Sequence, residues 1–153
     1  MKEFDYSLDY KSLDFTDQNT KKLYRIGRGE QGVLLVRPYT DDICCHWRFK
    51  DVDTARKSAD KIYELYCDYK RQKDFIGMDM ARKFLEMGFT RARRYANHKS
   101  GRKYDTNRTV LPQEADALVS VKAMAASVFK EIRDRVAYDP EYVRMRKEWR
   151  AIE

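Results

Sequence analysis

The sequence predicts an α+β fold: a small antiparallel β-meander over about residues 24–50, packed against three or four α-helices at about 54–71, 78–98, 112–137 and 140–150. Three observations lead there. Short runs of β-branched and aromatic residues, separated by turns bearing Gly and Pro, fill the stretch before residue 50. Apolar residues at three- and four-residue steps recur through the remainder. The chain of 153 residues, 42% of them hydrophobic, suffices for one domain with one core and needs no metal or disulfide staple.

Residues 1–20 open with Phe4, Tyr6, Leu8 and Tyr10 alternating with Asp5, Ser7, Asp9 and Lys11, continued by Leu13 and Phe15. This period of two describes an extended acidic and aromatic arm, laid over the core or docked on a neighbouring subunit. Strand-like runs follow at Tyr24-Arg25-Ile26, Val33-Leu34-Leu35-Val36 and Ile43 to Phe49. In the last, alternation puts Ile43, Cys45, Trp47 and Phe49 on a buried face and Cys44, His46, Arg48 and Lys50 on the other. Asp53 is placed to cap a helix from Thr54 to Arg71, with Ala55, Ala59, Ile62, Tyr66 and Tyr69 as its core stripe. After a break at Gly77, Met80, Ala81, Phe84 and Leu85 keep helical spacing, and Ala92 and Tyr95 extend it into a basic run. Residues 99–111 have no period and read as an exposed basic loop. Pro112 suits the first turn of the next helix, whose inward residues are Leu118, Val121, Ala125, Val128, Phe129, Ile132 and Val136. Asp139-Pro140-Glu141 opens the last helix, with Tyr142, Met145 and Trp149 on one side.

Charge is distributed unevenly. From Arg82 to Arg108 nine cations (Arg82, Lys83, Arg91, Arg93, Arg94, Lys99, Arg102, Lys103, Arg108) stand against two acids (Glu86, Asp105), a balance of +7 that equals the net charge of the whole chain. One segment therefore sets the positive field, which attracts phosphate or another polyanion. If the helix runs through Gly88, then Arg91, Arg94 and His98 form one stripe with Arg93 beside it. If Gly88 breaks it, Thr90 caps a short second helix as in a helix-turn-helix, but Arg94 then stands where that unit needs an apolar residue. Backbone contact with a nucleic acid asks less. It needs Arg91, Arg93, Arg94, His98, Lys99, Arg102 and Lys103 at phosphates, Tyr104 or Tyr95 for stacking, and Arg28 and Arg48 to extend the surface from the sheet. The plain alternative is a solvated charged face; Asp79 before Arg82, and Glu86 before Arg91, read as ion-pair partners on a helix face.

Gly27-Arg28-Gly29-Glu30-Gln31-Gly32-Val33 matches G-x-G-x-x-G-x-V by letter. A dinucleotide fold needs a helix after those glycines, where Val33 to Arg37 is strand-like, and a protein kinase needs later lysine and aspartate motifs that this sequence lacks. The run reads as a glycine-rich turn displaying Arg28. Cys44, Cys45 and His46 offer metal-binding groups, but alternation leaves at most half a tetrahedral site and no Cys-x-x-Cys pair exists, so neither metal nor cofactor is expected. Three cysteines, two adjacent, make no disulfide framework and fit a reducing compartment. No run approaches the roughly 18 apolar residues of a membrane span, and the opening residues lack a signal-peptide core. A cytoplasmic protein without a membrane partner is expected. For catalysis there is no nucleophile motif; His98 beside its arginines, and His46, are the candidate proton carriers.

Tyr24 to Val33, His46-Trp47-Arg48-Phe49, Gly77 to Phe84 and the basic run from Gly88 to Tyr104 together resemble a family of uncharacterised bacterial and phage proteins, domain-of-unknown-function family 4385. The resemblance spans roughly Tyr24 to Trp149. It implies a small cytosolic domain and supplies no activity and no assigned site residue.

Three readings of function stand side by side. The first is an accessory protein that binds nucleic acid or another polyanion through a basic helix and loop at 82–108. The second is a small enzyme acting on a phosphorylated or carboxylated metabolite at an Arg/His site. The third is an interaction or assembly protein that oligomerises through its N-terminal arm.

Overall fold

The structure, a computed structural model, describes residues 2–98, 102–115 and 120–153. Within them lie six α-helices and no sheet: α1 Gln18–Lys21, α2 Tyr39–Cys44, α3 Val52–Arg71, α4 Phe75–Asn97, α5 Val121–Ala137 and α6 Pro140–Ile152. An isolated bridge between Tyr104 and Val110 is the sole β-contact among the described residues. The α+β expectation is thus overturned; the protein is all-helical.

The stretch assigned to a meander shows why. Val33 to Val36 curls through successive tight turns, with Gln31 N–H bonding Arg28 O, Val33 N–H bonding Glu30 O and Leu35 N–H bonding Gly32 O. Val33 and Val36 are buried and Leu34 is exposed, a spacing of three rather than two. The Thr40 hydroxyl holds the curl, donating to Val33 O at 2.9 Å and accepting from Val36 N–H at 3.0 Å. β-Propensity acts only where a neighbouring strand offers a pleated surface, and none is present here. The supposed third strand begins instead as α2, where Tyr39 and Ile43 share the buried side and Asp41 and Asp42 sit in the favourable first turn. Cys45 is therefore exposed, not in the core.

α3, α4 and α5 pack on one another, with α2 and α6 against α4. Side chains cap each long helix: Asp51 accepts from Thr54 N–H, Asp74 from Gly77 N–H, Ser120 from Ala123 N–H and Asp139 from Glu141 N–H. Three boundaries differ from the sequence reading. α3 starts at Val52 under Asp51, ahead of Asp53. α4 starts at Phe75, so Gly77 lies inside it; a Cβ there would come within 2.3 Å of the Tyr69 ring. α5 starts only at Val121, which is exposed, while Pro112 lies in non-helical chain and Leu118 lies outside the described residues.

Gly88 does not break α4 either. Its missing side chain admits Phe129 of α5, whose ring atoms would lie 2.4 Å from a Cβ. The helix-turn-helix alternative is accordingly absent. In the arm, Phe4, Tyr10 and Phe15 are buried and stack in sequence, with ring centroids 5.3 and 6.0 Å apart. Tyr24 continues the series to Trp149 of α6, which stacks on Phe75 at the start of α4. These rings pack within their own chain.

Candidate functional site

α4 has two halves of opposite character. From Phe75 to Leu85 every residue is buried, including Asp79, Arg82 and Lys83. Charges with no solvent face must satisfy one another. Asp79 Oδ1 accepts from Arg82 Nε at 2.8 Å and from the Tyr142 hydroxyl at 2.6 Å, and Oδ2 accepts from the Tyr24 hydroxyl. Lys83 Nζ lies 3.9 Å from Asp79 and over the rings of Phe4 and Tyr24. Burial alone would raise the Asp79 carboxyl; the Arg82 and Lys83 charges outweigh it and hold the group well below the usual carboxylate range. Burial pushes Lys83 from 10.5 down to about 7; the Asp79 charge opposes this, and repulsion from Arg82, Arg150 and Arg146 adds to it.

The glycine-rich turn closes over this cluster with its carbonyls inward. Gly27 O accepts from Arg150 at 2.7 Å, Gly29 O from Arg82 at 3.0 Å and Gln31 O from Lys83 at 2.6 Å. Positive φ at Gly27, Gly29 and Gly32 permits that orientation. A phosphate cradle requires free N–H groups. Here the N–H of Arg28 bonds the Gln31 side chain, that of Gln31 bonds Arg28 O, and that of Gly32 bonds the Tyr6 hydroxyl. The turn is a cation clamp facing inward.

Beyond Leu85, α4 emerges. Ala92 and Ala96 stay buried while Arg91 and Arg94 are exposed. His98 ends the helix; it is buried, with Nδ1 3.2 Å from Pro112 O. The returning loop brings Lys103 and Gln113 across, and with Phe89, Thr90, Arg93, Arg94, Asn97 and His98 they line an open cavity of about 310 Å³. Three cations and an imidazole face it, and among the described residues no carboxylate is in its lining. Arg91 points to an adjoining groove of about 390 Å³, shared with Tyr6, Arg28 and Glu30. Burial raises the Glu30 carboxyl, opposed by the Thr90 hydroxyl that donates to it and by the nearby charges of Arg91 and Arg94.

Of the expected stripe, Arg91 and Arg94 are exposed on α4, whereas His98 is its buried C-cap with extended backbone; Arg94 and His98 share the cavity with Arg93 and with Lys103 of the returning loop, and Arg91 lies in the groove. Arg102 and Tyr104 are exposed on that loop, and Lys99 lies outside the described residues. Arg28 reaches the groove, paired with Glu3 at 3.2 Å. Arg48 stands apart, donating to the carbonyls of Trp47 and Cys44, and His46 occupies the turn after α2. Neither lines the cavity or the groove. Glu86 pairs with Arg133 of α5 at 2.8 Å, not with Arg91. Among the described residues no cluster of three or more His, Cys, Asp or Glu is placed to hold a metal, and no helix is long and apolar enough to cross a membrane.

The fold and site define an all-helical domain with an interior ion cluster and a basic cavity at the end of its central helix. The chain belongs to the family designated Domain of unknown function (DUF4385), which it matches over residues 5–152. Comparison with curated proteins and with solved structures gives no match.

Proposed function

We infer that this protein binds a phosphate-bearing polyanion, and in particular nucleic acid, through the exposed half of α4 and the loop that returns beside it. The observation that carries the reading is the convergence of Arg93, Arg94, His98 and Lys103 on one open cavity. Arginine's planar fork suits bidentate contact with phosphate oxygens. The free thiols of Cys44, Cys45 and Cys67 suit a cytoplasmic setting, where such ligands abound. Binding to a labelled oligonucleotide should weaken steeply between about 50 and 200 mM salt. Arg94→Glu with Lys103→Glu should lower affinity by more than tenfold and flatten the salt dependence, with the melting temperature unchanged because both side chains are exposed. Absence of binding to any oligonucleotide at low salt would overturn the reading.

A second reading rests on His98, which lines the same cavity. Its Nδ1 donates to Pro112 O, leaving Nε2 as a proton acceptor beside the arginines. On that reading the site turns over a phosphorylated or carboxylated metabolite. Phosphate release from a panel of phosphomonoesters, abolished by His98→Gln, is its expected result; binding without turnover retires it.

A further inference from the structure

We propose that the ligand is single-stranded nucleic acid, held along a track in which a cationic cavity and an adjoining groove are each flanked by an exposed tyrosine; this rests on the polyanion reading above. The first hollow is the cavity of Arg93, Arg94, His98 and Lys103, and the second is the groove containing Arg28 and Arg91. They adjoin where Thr90, in the wall of the first, donates to Glu30 in the wall of the second at 2.8 Å. From Arg91 to His98 the helix rises roughly 10 Å, the length of about three nucleotides stacked at 3.4 Å.

Each hollow has an aromatic face beside it. Tyr6 is 61% exposed and lines the groove, and its ring position is fixed by the bond from Gly32 N–H to its hydroxyl at 3.2 Å. Tyr104 is 50% exposed beside Lys103, whose Nζ lies 5.6 Å from the ring centroid. Exposed rings beside phosphate-binding cations are what unpaired bases stack on, and a duplex keeps its base faces covered.

The relief of the surface points the same way. A helix that reads a duplex must protrude into the major groove. Chain outside α4 walls both hollows, the 28–35 turn for the groove and Lys103 and Gln113 for the cavity. A trough accepts one strand and excludes two. Carboxylates stand at the second hollow too: Glu30, one of whose oxygens accepts from the Thr90 hydroxyl, and Glu3, which pairs with Arg28.

Fluorescence anisotropy of the full chain with labelled oligo-dT, oligo-rU and a duplex of equal length tests this, with inorganic polyphosphate as a base-free competitor. The single strands should bind at least tenfold more tightly than the duplex. Tyr6→Ala and Tyr104→Ala should each weaken single-strand binding by roughly tenfold and leave polyphosphate affinity unchanged, and Tyr104→Phe should bind like the wild type. Equal affinity for single strand and duplex, or Ala variants that bind like the wild type, overturns this inference while the basic-face reading stands. No binding of polyphosphate or of any oligonucleotide overturns both.

Discussion

Replacing Asp79 by Asn tests whether the interior cluster is organised around that one carboxylate. Asn keeps the volume and removes the charge. Arg82 and Lys83, with side chains 8% and 0% exposed, are left without a counter-ion, and the hydroxyls of Tyr24 and Tyr142 lose a charged acceptor. Breaking a buried ion pair from one side costs about 3–5 kcal/mol, which for a chain of this size lowers the melting temperature by roughly 6–20 °C. Lys83→Met should behave differently. The cluster holds two cations for one anion, so this change removes the surplus charge and mainly strands the Gln31 carbonyl, at about 1–3 kcal/mol. The two variants also separate by pH. Lys83 binds its proton less tightly folded, at about 7, than unfolded, at 10.5. The unfolded chain therefore holds more protons across that window, so stability rises from pH 7 upward by up to about 1.4 kcal/mol per unit and is lost as pH falls to 7. Chemical denaturation at pH 7, 8 and 9, below the range where tyrosines ionise, measures the slope, and the difference between wild type and Lys83→Met isolates this group. Equal costs for the two variants, or a Lys83→Met protein that keeps the full wild-type slope, would refute the account.

Two glycine substitutions probe the packing that frames the site. Gly88→Ala gains about 1 kcal/mol in helix propensity but drives a methyl to 2.4 Å from the Phe129 ring, and overpacking of that kind costs about 1–3 kcal/mol. The melting temperature should fall with helix content unchanged, and a rise would show that α4 and α5 approach less closely. Gly29 and Gly32 both have positive φ, but a Cβ on Gly29 meets open space while one on Gly32 would lie 2.2 Å from the Phe4 ring. Gly29→Ala should cost about 1 kcal/mol and Gly32→Ala several times more; equal melting temperatures would mean that the arm does not seat on the turn.

Periodicity made α6 and the end of α3 legible, because an amphipathic stripe marks each; Asp139 also marks the start of α6, whereas α3 begins under Asp51 and not Asp53. The meander was misread because Val33-Leu34-Leu35-Val36 is too short for its period to be decided. A four-residue apolar run fits a strand or a curl equally well, and the Thr40 hydroxyl that settles it lies four to seven residues downstream. Gly77 and Gly88 were read as breaks or possible breaks, yet both are contact points where an aromatic ring replaces a side chain. Spacing alone places Arg91 and Arg94 on the exposed side of α4, but not His98, which is buried at its end. The arrival of Lys103 and Gln113 could not be read, since it depends on how an aperiodic loop returns.

The interior cluster was missed for an instructive reason. Charge counting credited Arg82 and Lys83 to the surface field, whereas both point inward, so the basic surface is carried by the cations beyond Leu85. A signal was present: Phe75, Ile76, Met78, Met80, Ala81, Phe84 and Leu85 leave no polar side for a helix to turn toward water, so any charge among them must be internal. That internal charge also shapes the exterior. Arg82 and Lys83 fix the carbonyls of Gly29 and Gln31, and the same turn carries Arg28 and Glu30 into the wall of the groove beside Arg91. One helix thus holds the turn with the cations of its first half and, in the reading proposed here, meets the ligand with those of its second. The glycine-rich turn contributes through its carbonyls, inward, to the placement of a site whose contacts are side chains.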